Sequence, residues 1–192
     1  MNARIDMALS EIYDRESPRL ATVDYIAEHG IDINKVAGFC GSPTVLPITL
    51  LPNERFDLPD HGAEAAAGVV IEAIDADGDT VIDLVAWPVA DPTDVHTLLG
   101  QSPMVGLWAA FNAATYTFDY PLIMRRTPLD WLKADCDGAA IIIPSLAARA
   151  FLDLPGRIGA ADLAHQRELK GLLHEMIRAV EIVSPKPIRR AA

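Results

Sequence analysis

Apolar positions recur with a helical period at both ends of this chain. Caps and apolar spacing predict two N-terminal helices, over about residues 3–15 and 18–28, with Gly30 ending the second one. A long final helix is predicted over residues 160–182, where several apolar side chains share one face: Leu169, Leu172, Leu173, Met176 and Val180. The two ends of the chain are therefore predicted to be helical.

The middle of the chain has the two-residue alternation of β-strands. Residues 69–87 contain two runs rich in β-branched side chains around Asp77-Gly78, which predicts a β-hairpin. Residues 115–152 read as strand, helix, strand, helix, an order that favours a right-handed crossover and parallel pairing. Residues 39–58 contain several prolines and are predicted to be irregular or edge-strand chain.

These elements predict an α+β fold in a single domain over residues 1–183. Its parts are a helical N-terminal region (1–30), a central β-hairpin within a mixed sheet, a C-terminal strand-helix-strand unit and the long final helix. Residues 184–192 are basic, contain two prolines, and are predicted to be a flexible tail.

A capping residue followed by proline recurs along the chain. The capping oxygen can accept from an amide of the first turn, and proline at the first helical position loses no hydrogen bond. We therefore expect a helix after each such pair: Ser17-Pro18, Asp91-Pro92, Ser102-Pro103 and Thr127-Pro128. In the helix after Ser102, the expected buried face consists of Met104, Leu107, Trp108 and Phe111.

The negative charge is concentrated in the middle of the sequence. Residues 36–124 contain twelve carboxylates and one basic side chain, Arg55, and their formal charge of −11 equals that of the whole chain. Such a segment repels phosphate and attracts basic partners, so direct nucleic-acid binding by the main body is disfavoured. The alternative is that the negative charge of this segment only keeps the protein soluble.

Location and cofactors are constrained by what the sequence lacks. The longest uncharged stretch is too polar for a membrane span, and no membrane partner is expected. Cys40 and Cys136 form no recognisable disulfide framework, which favours a cytoplasmic protein with reduced thiols. Cys40 lies between glycines, where a nucleophile can be exposed, but a small buried thiol is the favoured interpretation. No cofactor motif is present, and no catalytic residue is assigned.

The hairpin supplies one candidate metal site. If Asp77-Gly78 is a two-residue turn, Glu72 lies opposite Asp83, and two opposed carboxylates repel each other at about 5 Å. A divalent cation or a shared proton relieves that repulsion. The alternatives are a solvated strand face or an arginine of the Arg125-Arg126 pair between the carboxylates.

A second candidate site is the acidic loop around His61. Carboxylates cluster near this histidine in sequence and make the loop a candidate binding surface: Glu54, Asp57, Asp60 and Glu64. On the final helix, His165 and Glu168 lie one turn apart, where they suit either half of a metal site or a surface pair.

The favoured function is that of a non-enzymatic binding or regulatory protein. Its acidic surface would contact a basic partner, for example a nucleic-acid-binding protein. One alternative is a small divalent-metal hydrolase centred on Glu72 and Asp83. Another is a scaffold that associates with a second copy of itself.

Overall fold

Two β-sheets of different construction make up the fold, one closed into a small barrel and one open. The computed structural model describes residues 2–14, 19–59 and 64–178. The helices are α1 (Ala3–Asp14), α2 (Arg19–His29), α3 (Ile33–Cys40), α4 (Leu107–Phe111), α5 (Pro128–Lys133), α6 (Pro144–Ala150) and α7 (Leu163–Arg178), with 3₁₀ turns over Ala113–Asp119. The strands are β1 (Thr44–Leu51), β2 (Arg55–Asp57), β3 (Ala66–Ile74), β4 (Val81–Pro88), β5 (His96–Thr97), β6 (Met104–Val105), β7 (Leu122–Arg125), β8 (Ala139–Ile141) and β9 (Ile158–Ala160).

The predicted α+β class is confirmed, with both N-terminal helices, the hairpin and the long final helix in place. Among the described residues, none of the helices is long and apolar enough to cross a membrane. The tail over residues 184–192 lies outside the described residues, as do Ser17 and Pro18.

The barrel has the strand order β1-β2-β5-β4-β3 and closes between β3 and β1. Strands β3 and β4 are buried on both faces, because their alternate side chains enter different parts of the core. Val70 and Leu84 pack with α1, whereas Val69 and Val85 pack with α2, α3 and the second half of the chain. The near-continuous apolar sequence of β3 and β4 follows from this double burial.

The open sheet has the order β6-β8-β7-β9, in which β8, β7 and β9 are parallel and β6 is antiparallel to β8. The predicted crossover from β7 through α5 to β8 is present. Thr127 caps α5, since its hydroxyl oxygen accepts from the Asp130 amide at 3.1 Å, and Pro128 occupies the first turn. This capping prediction is confirmed.

The other two described capping predictions are wrong. Asp91 accepts from the Thr93 amide in a turn that does not continue as a helix. The Ser102 hydroxyl donates to the Met104 carbonyl, and the chain then enters β6. Helix α4 begins only after Gly106, whose left-handed φ of 77° interrupts the expected helix. Each pair satisfies a local amide or carbonyl without starting a helix.

Three stretches differ from the predicted secondary structure. Within residues 39–58, expected to be irregular or edge-strand chain, β1 is an eight-residue strand that pairs with both β2 and β3. Helix α3 was not predicted, although Asp32 caps it by accepting from the Asn34 amide. A strand was expected from residue 115, but 3₁₀ turns run to Asp119 and β7 begins at Leu122. Local pattern does not reveal which short apolar runs find a partner strand.

The hairpin register is correct at the turn and wrong further along. A four-residue loop over residues 76–79 replaces the predicted two-residue turn, and the Asp77 carboxylate accepts from two backbone amides in it. Ile74 still pairs with Val81, the register that a turn centred on Asp77-Gly78 predicts. A bulge then inserts an extra residue into β4. Beyond it, Glu72 pairs with Leu84, and Asp83 pairs with Ala73. The predicted pairing of Glu72 with Asp83 is therefore wrong, and the two carboxylates lie on opposite faces of the ladder.

Asp83 connects the two halves of the fold. Its carboxylate is fully buried, with 0% of the residue exposed. One oxygen accepts from the amides of Leu84 at 2.9 Å and Leu99 at 2.7 Å. The other oxygen accepts from the amides of Gln101 at 2.7 Å and Ser102 at 3.3 Å. Asp83 thus holds the segment that leads from the barrel into the open sheet.

Asp83→Asn tests this role because the new amide group cannot accept from the two amides that one carboxylate oxygen now serves. We expect the free energy of unfolding to fall by about 2–5 kcal/mol, since each unsatisfied buried group costs about 1–3 kcal/mol. The measurement is urea denaturation followed by circular dichroism.

Asp79→Asn is the matched control on the same hairpin, because Asp79 is exposed and its loss should change stability by less than about 0.5 kcal/mol. Equal denaturation midpoints for the two variants would contradict the anchoring role of Asp83.

Candidate functional site

A cleft of about 790 Å³ lies between the barrel and the open sheet. The barrel contributes the turn before β2 and the loop between β4 and β5; the open sheet contributes the segments that follow β7 and β8, together with α7. The lining includes a set of apolar side chains and the polar residues Glu54, Asp94, Arg125, Arg126, Asp130, His165 and Glu168.

The connections of the open sheet explain why a cleft forms there. The connection from β7 leads to β8, and the next one crosses back past β7 to β9 on its other side. Connections that leave neighbouring parallel strands in opposite directions open a crevice at their carboxyl ends, where ligands of such sheets bind. The residues that follow β7 and β8 line the cleft at that edge.

The floor of the cleft is apolar. The side chains of Leu129, Ile142 and Leu169 are at least nine-tenths buried, yet they border the open volume. Val95, Ile141 and Leu172 extend this surface and are partly exposed. Burying such a floor under a ligand removes apolar area from water, which stabilises binding.

The two arginines of the cleft are neutralised by neighbouring carboxylates. Arg126 donates to Asp162 at 3.0 Å and to Glu168 at 3.0 Å, and the hydrogen bond with Asp162 is the main reason that its pKa is raised. Arg125 contacts the carboxylate of Asp137 at 2.9 Å. The guanidinium groups are therefore already paired within the protein.

Asp162 also holds the first turn of α7. Its carboxylate accepts from the His165 amide at 2.9 Å, and this bond, followed by the pairing with Arg126, lowers the pKa of Asp162. Such a cap satisfies one of the free amides at the beginning of a helix. The same carboxylate thus fixes both Arg126 and the start of the helix that carries His165.

His165 is a neutral imidazole in the cleft wall. The residue is 6% exposed, and its Nδ1 accepts from the Ala161 amide at 3.2 Å, which leaves the proton on Nε2. Burial, and then the positive charge of Arg126, lower the pKa of His165. Nε2 has no hydrogen-bond partner among the described residues, so it remains available as a donor to a ligand.

Asp94 is fixed at the barrel side of the cleft by His96. The Nε2 atom of His96 lies 2.9 Å from Asp94, and its Nδ1 lies 3.1 Å from the carbonyl oxygen of Arg55. Because His96 is buried, this contact gives Asp94 a defined position at the rim.

The predicted acidic loop is only partly represented in this cleft. Glu54 lines it, whereas Asp57 forms an ion pair with Arg4 of α1 at 3.0 Å. Glu64 is exposed, and its carbonyl oxygen accepts from the Thr49 hydroxyl. Asp60 and His61 lie outside the described residues. The structure thus brings one residue of the proposed loop to the cleft.

Glu72 and Asp83, the predicted metal pair, do not line the cleft. The metal site was predicted because the two carboxylates were expected to face each other, and the observed register does not bring them together. Glu72 accepts a hydrogen bond of 2.5 Å from the Tyr13 hydroxyl, and burial followed by this bond raises the pKa of Tyr13. Asp83 is occupied by backbone amides. Within the described parts of the chain, there is no group of three or more His, Cys, Asp or Glu side chains placed to hold a metal ion.

Sequence reasoning missed the central residues of the cleft. The sequence indicates His165 and Glu168 only as a pair on one helix, and Arg126 only as one of two adjacent arginines. Their convergence depends on the connection from β8 to β9, which crosses β7, and no local sequence pattern reveals that crossing.

Comparison with known proteins identifies no relative. The chain matches no protein-family model, and no curated protein or solved structure matches it significantly.

The lowered pKa of His165 predicts a pH-dependent stability. As the pH falls below about 6.5, the unfolded chain binds the proton before the folded protein does, so the free energy of unfolding decreases. His165→Gln keeps an acceptor and a donor but does not titrate, so it should show a shallower decrease between pH 7 and pH 5. Urea denaturation at several pH values between 7 and 5 measures this decrease in the free energy of unfolding.

His174→Gln, at an exposed position on the same helix, is the control and should retain the wild-type pH dependence. Identical pH profiles for wild type and His165→Gln would contradict the prediction, because they would show that folding does not lower the pKa of His165.

Proposed function

We propose that this protein is a non-enzymatic binding protein whose cleft takes up a basic, partly apolar segment of another protein. The observation that carries the proposal is the combination of an apolar floor with carboxylates around it. Glu54, Asp94 and Asp130 supply these carboxylates, and a fourth, Glu168, also pairs with Arg126. A segment that alternates leucine-like and lysine-like side chains matches both features.

The charge of the cleft supports a cationic ligand over an anionic one. Arg125 and Arg126 already contact Asp137, Asp162 and Glu168, so little positive charge is left for a phosphate or carboxylate. The wider chain reinforces this preference, because its acidic middle segment supplies a negative field around the barrel side of the cleft.

In this proposal, the neutral His165 side chain orients the bound segment. Its Nε2 proton suits a backbone carbonyl of the bound segment, an acceptor that every peptide carries. A volume of about 790 Å³ falls in the range of sites that enclose a few side chains. The cleft therefore suits a short peptide segment better than a whole folded domain.

A nucleic-acid-binding protein is one class of partner with such segments, since its phosphate-contacting surface is rich in lysine and arginine. The carboxylates would then compete with phosphate for those side chains. The proposal includes a cytoplasmic location, in which this protein and its basic partner would meet.

The test is fluorescence anisotropy with three labelled peptides of equal length, composed of lysine and leucine, glutamate and leucine, or lysine and serine. We expect the lysine–leucine peptide to bind at least about tenfold more tightly than the others, because only it satisfies both the carboxylates and the apolar floor. Raising the salt to about 300 mM should weaken its binding, since exposed charges are screened within about 8 Å or less.

The double variant Glu54→Gln, Asp130→Asn should weaken binding of this peptide by about 3–10-fold, as expected for two exposed ion pairs. Its matched control removes two charges outside the cleft, by Glu28→Gln and Asp79→Asn, and should bind as the wild type does. Equal affinities for all three peptides would refute the proposal. A salt-sensitive dimer in sedimentation with no peptide binding would favour the self-associating scaffold instead.

A further inference from the structure

The two cysteines are distant in sequence and adjacent in the core. Cys40 is the last residue of α3, and Cys136 lies in the loop that follows α5. They are 0% and 3% exposed, respectively, and belong to the same cluster of buried side chains. Both are free thiols.

Several contacts bring the two segments together. Lys35 of α3 forms an ion pair of 2.6 Å with Asp135, the residue before Cys136. Asp135 and Cys136 both have left-handed backbones, with φ of 55° and 61°, although neither is glycine. The Cys136 amide donates to the Trp131 carbonyl at 3.0 Å, which holds this unusual turn. The turn directs the Cys136 side chain into the core.

The thiols contact each other there. A hydrogen bond between the two thiols, followed by burial, raises the pKa of the Cys40 thiol well above its usual value. The Cys40 thiol also donates to the Val36 carbonyl, at 3.4 Å between sulfur and oxygen. The two thiols thus interact within one buried cluster, each on a backbone that other contacts anchor, and proximity is the first requirement for a disulfide.

We propose that Cys40 and Cys136 are a modification site that a two-electron thiol oxidant, such as a peroxide or an azo compound, converts into an intramolecular disulfide. Each S–H bond breaks, one S–S bond forms, and the oxidant takes up both hydrogens and both electrons. A peroxide ends as water, and an azo compound ends as a hydrazine. A dithiol reductant reverses the reaction.

The bond would join the two halves of the chain covalently. It closes a loop of about 100 residues and ties α3 to the segment after α5, whose first turn lines the cleft. Closure of so long a loop stabilises the folded state. Oxidation is slow in the folded protein, because burial and the raised pKa of Cys40 leave little thiolate to attack.

The experiment oxidises the full chain by two routes. Folded, reduced protein is incubated with the azo compound diamide; a second sample is unfolded and refolded in a glutathione redox buffer. Both are then alkylated in denaturant, digested and analysed by mass spectrometry. We expect a Cys40–Cys136 cross-link in a monomeric chain that has lost two hydrogens, with a Tm about 5–10 °C higher. Dithiothreitol should restore the original Tm.

Cys40→Ala is the control, because Cys136 alone cannot form an intramolecular bond and oxidant should then leave the Tm unchanged. The proposal is overturned if both cysteines of the wild type are fully alkylated after both routes. It is equally overturned if their disulfides are only with glutathione or between molecules. Since the wild-type cross-link is read directly, a poorly folding variant would not affect the conclusion.

Discussion

The buried carboxylate of Asp83 is the constraint on which the arrangement of this protein depends. It serves one amide of its own strand and three amides of the segment that leaves the barrel for the open sheet. A carboxylate without exposed surface is costly unless its oxygens are satisfied, so the segment and the strand are held together. The cleft lies between the two halves that this segment connects, and its geometry follows from that connection.

The chemistry of the cleft is a consequence of two further features. The opposite directions of the connections from β7 and β8 open the edge of the sheet, and the loops of the barrel cover one side of it. The arginines at that edge are paired with carboxylates inside the protein, which leaves an apolar floor and an acidic rim facing solvent. This is the physical basis for preferring a basic peptide segment over an anionic ligand.

Local signals in the sequence predicted the fold class well, and they failed where long-range pairing decides the structure. Thr127-Pro128 starts a helix as expected, whereas the equivalent signal at Ser102-Pro103 precedes a strand, because the chain there pairs with β8. The hairpin was predicted from Asp77-Gly78, but the bulge in β4 is not visible in the sequence and changes the partner of Glu72. The cleft was largely unpredictable, since Arg126 and His165 meet only through the order of the parallel strands.

The hydrogen exchange rate of the Gln101 amide tests the role of Asp83 most directly. This residue lies outside every helix and strand and is exposed, so its amide has no protection from regular secondary structure. We expect exchange at least about 100-fold slower than in an unstructured peptide, because the amide donates to the buried carboxylate. Measured by two-dimensional NMR, exchange at the rate of an unstructured peptide would contradict the anchoring role of Asp83.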